Sequence, residues 1–202
     1  MTEETSNEVT NETSTRVPRR RWIAILPVVI AVLLGGVFAK RLADVKDGLD
    51  PTVLQSVLLN TPVPDLDLPP LPGRDRLEDG IKTEHLKSEV SLVNIWGSWC
   101  IACLAEHPLL MAIQGQSDVP IHGIAWRDDP QASLKWLGRH GDPYSRIGQD
   151  PISEAAIAFG VTGAPETFVV DANGIIRYKH TGPISPDDWS NTIQPLIEQL
   201  RQ

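Results

Sequence analysis

The fold of this chain is decided by the stretch Trp96-Gly97-Ser98-Trp99-Cys100-Ile101-Ala102-Cys103, which contains both cysteines of the 202 residues. Residues 92–95 before it read Leu-Val-Asn-Ile and predict a buried strand. Residues 104–114 after it are rich in Leu, Ala, Glu and Met and predict a helix. Cys100 is therefore expected where a strand turns into a helix N-terminus. Unpaired backbone N–H groups and the helix dipole stabilise a thiolate at such a position.

The charge and the length of the chain exclude some classes of protein. The formal net charge is −8 at pH 7. Residues 1–39 carry four glutamates against four arginines, so the whole negative charge lies in residues 40–202. A domain this acidic is a poor match for nucleic acid, and the length allows one domain of ordinary size.

The first 39 residues predict an export and anchoring segment. Residues 1–21 are polar and then basic, which predicts a disordered cytoplasmic leader. Residues 22–39 carry no charge and would span roughly 27 Å as a helix, about one hydrocarbon core. The arginines at 19–21 favour an N-terminus in the cytoplasm, so we expect a single-pass anchor in a bacterial inner membrane with the rest of the chain in the periplasm. The alternative is a signal peptide cleaved after Ala39, which small residues nearby would permit.

The remaining chain predicts an arm followed by a domain. Residues 40–72 predict a juxtamembrane extended arm, because five prolines between residues 62 and 72 force an extended path. Residues 73–202 alternate between strand and helix patterns, with the first helix kinked or interrupted at Pro108. Predicted strands cover residues 90–96, 120–126, 146–147, 167–171 and 175–180, and predicted helices cover 103–114, 131–140, 153–159 and 186–200. Parallel crossovers followed by a β-hairpin predict an α/β fold with a mixed sheet flanked by helices.

This layout resembles the thioredoxin-like fold, in which a strand, a W-C-x-x-C motif and a helix precede a βα unit and a proline before a hairpin. Two motifs narrow the resemblance: Trp99-Cys100-Ile101-Ala102-Cys103 with Glu106-His107-Pro108, and Gly160-Val161-Thr162-Gly163-Ala164-Pro165-Glu166-Thr167-Phe168. Together they resemble the DsbE/CcmG-type thiol:disulfide interchange proteins of cytochrome c maturation, in the TlpA/ResA group. The resemblance covers roughly residues 50–200 and extends to the N-terminal anchor.

The resemblance implies that the cysteines form a redox-active disulfide, Cys100-Cys103, which works without a cofactor. Cys100 is the expected nucleophile, and Cys103 is expected to resolve the mixed disulfide. Two other interpretations of the pair are a structural disulfide and a zinc site. A structural disulfide across so short a loop removes little chain entropy. A zinc site usually needs four ligands, and the five histidines show no metal spacing, so we expect no metal.

Three residues near the cysteines receive expected roles, two in binding the substrate and one in covering the cysteine pair. Pro165 matches the cis-proline that faces the cysteines in thioredoxin-like folds. Its expected role is to expose the backbone of Ala164, so that an extended substrate pairs with Ala164 and Pro165 as a short strand. The alternative is an ordinary proline at the start of a strand. Trp99 is expected to cover the cysteine pair.

Two glutamates receive expected electrostatic roles. If Glu106 and Glu166 face the cysteines, they oppose formation of the thiolate and are candidates to take up a proton from Cys103. In thioredoxins a buried acid stands where this chain has Asn94, and Glu106 is a candidate to replace it and to accept a proton from Cys103. The alternative for each glutamate is a solvated place on the surface.

The function that the resemblance implies is a membrane-anchored periplasmic protein-disulfide reductase that reduces the haem-binding cysteines of apocytochrome c. Its expected partners are apocytochrome c or a component of cytochrome c maturation. A transmembrane electron donor of the CcdA/DsbD type is also expected, because an exported compartment is oxidising. Two alternatives are a general TlpA-like reductant of exported thiols and a non-catalytic thioredoxin-like adaptor.

Overall fold

The computed structural model describes residues 26–37, 40, 58–75 and 80–202. The chain divides into two compact units, Met1–Val53 and Leu54–Gln202. In the first unit, residues 26–37 form a helix (α1) whose apolar side chains are exposed. Among the described residues, no helix is both long enough and apolar enough to cross a membrane. The predicted leader and both ends of the predicted anchor lie outside the described residues.

The second unit is built around a mixed sheet. Its strands are β1 (Asp67–Leu68), β2 (Ile81–Lys82), β3 (Ser91–Trp96), β4 (Ile121–Trp126), β5 (Arg146–Asp150), β6 (Glu166–Val170) and β7 (Ile176–Thr181). The last five strands lie in the order β5-β4-β3-β6-β7. Strands β3, β4 and β5 are parallel, β6 pairs antiparallel with β3, and β7 pairs antiparallel with β6. The predicted mixed sheet is confirmed. All six residues of the central strand β3 are buried, which explains why apolar residues occur on both of its faces.

Helices cover both faces of the sheet. They are α2 (Ile101–Gln116), α3 (Pro130–His140), α4 (Glu154–Ala158), α5 (Pro186–Asp188) and α6 (Gln194–Leu200), and a π-helical turn (Trp189–Ile193) joins the last two. A 3-10 turn (Thr83–Leu86) follows β2. Buried residues of α2, α3 and α6 share one apolar cluster, and Ala155 of α4 belongs to a second cluster. The sheet therefore separates two cores.

The alternation of side chains along β3 assigns residues to these two cores. Leu92 and Trp96 belong to the cluster that contains both cysteines, and Val93 and Ile95 belong to the other. Because successive side chains of a strand point to opposite faces, Asn94 lies on the cysteine face. The same rule places Thr167 of β6 on the cysteine face, because its neighbour Val169 lies there.

The helix after the cysteines is continuous through Pro108, so the predicted interruption is wrong. Proline cannot donate a hydrogen bond to the carbonyl four residues earlier, which costs about 3 kcal/mol in a helix interior. In α2 this cost is offset by burial on both sides of the proline. Glu106, His107 and Leu110 are each at most 2% exposed, so tertiary packing outweighs local propensity here.

The segment predicted to be an arm forms part of the domain from residue 58 onward. Val63, Leu66 and Leu68 are buried in one core and Leu71 in the other. Bridges join Pro62 to residue 175 and Pro70 to residue 148, and β1 pairs with β2. The compact unit starts at Leu54, so the predicted boundary at residue 73 is corrected. The prolines do impose an extended path, but the apolar residues between them are buried along the sheet.

Candidate active site

The two cysteines lie at the junction of β3 and α2 and form a disulfide with an S–S distance of 2.07 Å. Cys100 is the N-cap residue of α2, and its Sγ accepts the backbone N–H of Cys103 at 3.0 Å. After reduction the same N–H group and the helix dipole stabilise a thiolate on Cys100. The predicted placement of Cys100 at a helix N-terminus is confirmed.

Exposed apolar side chains flank the buried disulfide. Cys100 is 5% exposed and Cys103 is 2% exposed, so Cys100 is the more exposed residue of the pair. Ile101 is 87% exposed and Leu104 is 41% exposed. An apolar surface around a buried disulfide is typical of a site that receives another polypeptide.

Trp99 packs beside the active-site turn. A Cβ added to Gly97 would lie 2.5 Å from the Trp99 Nε1 atom, which shows how closely the indole covers this glycine. Nε1 donates to the backbone oxygen of Trp126 at 3.2 Å, and the two indoles meet edge to face at 5.9 Å. The sequence predicted that Trp99 covers the cysteine pair. The structure places its indole over Gly97 and against Trp126.

The loop before β6 carries the predicted cis peptide bond, between Ala164 and Pro165. Residue 166 of β6 lies opposite Ile95 of β3, so the proline enters the sheet beside the strand end that leads to Cys100. Ala164 packs against the cluster that contains both cysteines. The active-site turn and the cis-proline loop are therefore neighbours at one end of the sheet.

Glu166 lies on the sheet face opposite the cysteines, so the prediction that it faces them is corrected. It follows the alternation of β6, in which Phe168 and Val170 belong to the second core. Its side chain is fully buried and pairs with the Nζ of Lys179 at 2.9 Å. It also accepts hydrogen bonds from the N–H and the hydroxyl of Thr162. Glu166 thus supports the cis-proline loop from behind.

Replacing Lys179 with Met is expected to lower the free energy of unfolding by about 3 kcal/mol, because it leaves the buried Glu166 carboxylate without its cation. Lys179 also donates to the carbonyl of Gly160, which ties the start of the loop to β7. Denaturant unfolding of the oxidised protein measures the loss. The matched control is the double variant K179M/E166Q, which removes both charges and recovers most of the stability. Equal losses in both variants would contradict this account.

Glu106 lies at the centre of a buried polar network behind the disulfide. Its Oε1 accepts from the Nδ2 of Asn94 at 2.9 Å, and its Oε2 accepts the N–H of Ile184 at 2.9 Å. Asn94 also donates to the hydroxyl of Thr167 and accepts from the hydroxyl of Tyr144. Glu106 is 1% exposed, so the alternative of a solvated surface glutamate is excluded.

The environment of Glu106 gives it a titration near neutral pH. Burial raises its pKa from 4.5 to about 7, and the hydrogen bonds from Ile184 and Asn94 oppose part of that rise. Burial, and next the charge of Glu106, raise the pKa of Tyr144 well above its ordinary value. Tyr144 therefore stays protonated and keeps donating to Asn94. A carboxyl group that titrates near pH 7 is suited to exchange protons with a thiol.

The sequence did not predict Thr167, Tyr144 or Ser98 as parts of the site. Thr167 and Tyr144 join the Glu106 network through contacts between distant parts of the chain, for which no local pattern exists. Ser98 binds Asp128 of the β4–α3 loop, which lies 30 residues away in the sequence. Among the described residues, no group of three or more His, Cys, Asp or Glu side chains could hold a metal ion.

Comparisons with known proteins agree with this geometry. The Redoxin family model matches residues 60–194. The thiol:disulfide interchange protein DsbE of Allochromatium vinosum is 42% identical over 153 residues, which cover 76% of this chain and 83% of that protein. The DsbE protein of Escherichia coli K12 is 35% identical over 182 residues, which cover 89% of this chain and 96% of that protein.

A solved structure supports the fold assignment. The crystal structure of a putative thiol:disulfide interchange protein DsbE from Chlorobium tepidum superposes with a TM-score of 0.59 at 22% identity, and it covers 69% of this chain and 95% of that one. The Cys100–Cys103 disulfide lies at the N-terminus of α2, as a thiol-exchange pair requires. The chain belongs to the Redoxin family and, within it, to the DsbE-type thiol:disulfide interchange proteins of thioredoxin-like fold, and it is a thiol:disulfide oxidoreductase.

Proposed function

We propose that this protein is a membrane-anchored periplasmic reductase for the haem-binding cysteines of apocytochrome c during cytochrome c maturation. The observation that carries the proposal is Glu106, a buried carboxyl group one helical turn after Cys103. Its negative charge disfavours a thiolate nearby, and a dithiol whose thiolate is poorly stabilised is the better reductant. This electrostatic setting favours electron flow from the protein to its substrate.

The surroundings of the disulfide support a polypeptide substrate. The backbone of Ala164 before cis-Pro165 lies next to the active-site turn, and exposed apolar side chains flank it. An extended segment that pairs with Ala164 brings its own disulfide to Cys100. A pair of cysteines in an unfolded apocytochrome is a substrate of this kind.

The reaction follows two exchange steps. The Cys100 thiolate attacks one sulfur of the substrate disulfide, which forms a mixed disulfide and releases the other substrate sulfur as a thiolate. Cys103 then loses its proton, for which Glu106 is the proposed acceptor, and attacks the Cys100 sulfur. The second substrate sulfur leaves and both substrate thiolates take up protons. Two electrons pass to the substrate, and the protein is left with the Cys100–Cys103 disulfide.

The proposed location of the catalytic domain in the periplasm explains why the protein needs an electron donor as a second partner. Residues 22–39 form the proposed single-pass anchor in a bacterial inner membrane, with the N-terminus in the cytoplasm and the catalytic domain in the periplasm. An oxidising compartment keeps the cysteine pair oxidised after each turnover. We infer that a transmembrane donor of the CcdA/DsbD type returns two electrons to Cys100–Cys103 by the same exchange chemistry.

The proposal is tested in a bacterium that lacks its own DsbE-type protein. Expression of the full chain is expected to restore c-type cytochromes, measured as covalently bound haem in membrane fractions, and the C100S variant is expected to restore none. A reporter protein whose folding depends on other exported disulfides serves as the control.

Two outcomes would contradict the proposal. Restoration by the C100S variant would favour the adaptor alternative, because an adaptor does not need the thiol. If expression of the full chain failed to restore c-type cytochromes but reduced the disulfides of other exported proteins, the result would favour a general reductant.

A further inference from the structure

One carboxylate joins the active-site turn to the helix α3. Asp128 is 9% exposed, and four hydrogen bonds converge on it. Its Oδ2 accepts the N–H of Ser98 at 2.7 Å and the hydroxyl of Ser133 at 2.6 Å. Its Oδ1 accepts the hydroxyl of Ser98 at 2.7 Å and the N–H of Asp129 at 3.0 Å. The interaction is a clamp between two elements that are distant in sequence.

The clamp holds Ser98, which lies two residues before the nucleophile Cys100. The turn from β3 into α2 closes with a hydrogen bond from the N–H of Cys100 to the oxygen of Gly97 at 3.1 Å, and Ser98 lies inside this turn. Both the backbone and the side chain of Ser98 bind Asp128, so the turn cannot rotate without breaking two bonds to a buried acceptor. The direction in which Cys100 enters α2 therefore depends on Asp128.

The backbone on the other side of the clamp is also held. Arg127, directly before Asp128, has a positive φ of 48°, which is uncommon for a residue with a side chain. Its N–H donates to the oxygen of Asp150 at 2.9 Å, which fixes this conformation at the end of β4. Strained residues of this kind cluster at functional sites. Here the backbone conformation of Arg127 orients the next residue, Asp128, so that its carboxylate binds Ser98.

We propose that Asp128 is a positioning residue for thiol–disulfide exchange, which through Ser98 fixes the Cys100 sulfur on the N–H groups at the start of α2. This inference rests on the oxidoreductase activity and not on the identity of the substrate. Asp128 acts through Ser98 and not on the reacting atoms. Its loss leaves the exchange chemistry unchanged but lets the Cys100 thiolate move away from the N–H of Cys103.

Positioning and charge predict opposite effects on the Cys100 thiol. The adjoining elements carry several ionisable groups, which are Cys103, Glu106 and His107 of α2, Arg127, Asp128 and Asp129 of the β4–α3 loop, and Lys135, Arg139 and His140 of α3. Removing the negative charge of Asp128 alone would favour the thiolate and lower the pKa of Cys100. Removing the hydrogen bonds of Asp128 lets the Cys100 sulfur move away from the N-terminus of α2, which raises the pKa of Cys100.

The test compares the reduced full chain with its D128A and D128N variants. Asn keeps one oxygen for Ser98 and Ser133 but carries no charge, so D128N is expected to react at a rate close to that of the wild type, with a Cys100 pKa at or below the wild-type value. D128A is expected to react with 2-hydroxyethyl disulfide about ten- to a hundredfold more slowly, because a small misplacement of a reacting atom has effects of this size. Its Cys100 pKa, measured from the pH dependence of alkylation, is expected to rise.

Asp129→Ala is the matched control, because Asp129 caps α3 without binding Ser98. D129A is expected to lower the free energy of unfolding while the reaction rate and the Cys100 pKa stay at wild-type values. Ser98→Ala, which keeps the backbone N–H, is expected to slow the reaction less than D128A does, and it carries the test if D128A fails to fold. An equal slowing in D128A and D129A, an equal slowing in D128A and D128N, or a lowered Cys100 pKa in D128A would overturn the proposal.

Discussion

Replacing Cys100 with Ser is expected to lower the rate of disulfide reduction by at least about a thousandfold, to the rate of the uncatalysed exchange. The hydroxyl group of serine cannot form a disulfide, so the first exchange step is lost outright. The replacement is nearly isosteric at a buried N-cap, and serine is itself a favoured N-cap residue. The fold should therefore survive. The measurement is the initial rate of reduction of a peptide disulfide with glutathione as the electron source.

Cys103→Ser provides the matched control for this prediction. It keeps the nucleophile and removes the resolving thiol, so the pre-reduced variant, mixed with substrate in the absence of glutathione, should open the first substrate disulfide at a rate close to that of the wild type and then remain as the mixed disulfide. If the C100S variant kept a measurable share of the wild-type rate, Cys100 would not be the attacking residue. The same conclusion would follow if Cys103→Ser lost the first step.

Replacing Glu106 with Gln is expected to raise the free energy of unfolding above pH 7 by on the order of 3 kcal/mol, with little effect below pH 4.5. Burial raises the pKa of this carboxyl group from 4.5 to about 7 in the folded protein. The difference of about 2.5 pKa units corresponds to about 3 kcal/mol. Glutamine keeps an oxygen for the N–H of Ile184. If the Asn94 amide turns over, its oxygen faces the new amide group and its nitrogen donates to the hydroxyl of Tyr144, which can accept.

The direction of this change in the free energy of unfolding depends on whether the folded or the unfolded protein holds the proton of Glu106. Because the folded pKa is raised, the folded protein keeps a proton that the unfolded chain releases between pH 4.5 and about 7. The wild type therefore loses this contribution to stability as the pH rises through that window. The E106Q variant has no such loss, so the two stability curves should separate progressively from pH 4.5 to pH 7 and run parallel above it.

Denaturant unfolding of the oxidised proteins at a series of pH values measures this separation. Burial lowers the pKa of His122 to about 4, so stability also falls as the pH drops from 6.5 to 4. That effect is common to both proteins and cancels in their difference. Glu198→Gln, on the exposed surface of α6, is the control and should show no separation. If the free energies of unfolding of wild type and E106Q differed by the same amount at every pH, burial would not raise the pKa of Glu106.

Local patterns were sufficient to predict the elements that carry the thiols. The apolar run of β3, the cysteine spacing and the start of α2 lie within one short stretch, and each depends on near neighbours. A capping residue at a strand-to-helix turn is a local feature, so the place of Cys100 followed from the sequence. The cis state of Pro165 depended on the family resemblance, because most X–Pro bonds in folded proteins are trans.

The environments of the two glutamates could not be predicted in the same way. Glu106 is buried because α2 packs its side chain against Asn94 and Ile184, which come from distant parts of the chain. Glu166 follows the proline directly, yet the register between β3 and β6 turns its side chain to the opposite face. A shift of one residue would have reversed this outcome. Such a register is fixed by long-range packing and not by the motif.

The boundary of the domain was missed for a related reason. Prolines between residues 62 and 72 indicate an extended backbone, but they do not indicate what the backbone lies against. Leu71 is 1% exposed, and the sheet provides the surface that buries it. Extended segments with alternating prolines and apolar residues can belong to a domain core when a neighbouring sheet has an open edge.

The most direct test of the exchange mechanism is the covalent adduct that a Cys103→Ala variant forms with a peptide disulfide. This variant attacks its substrate but cannot resolve the mixed disulfide, so the adduct should accumulate in a one-to-one ratio. Mass spectrometry of the digested adduct, without reduction, locates the linkage. The exchange mechanism requires a disulfide between Cys100 and the substrate peptide. The absence of any adduct, under conditions in which the wild type reduces the same peptide, would contradict it.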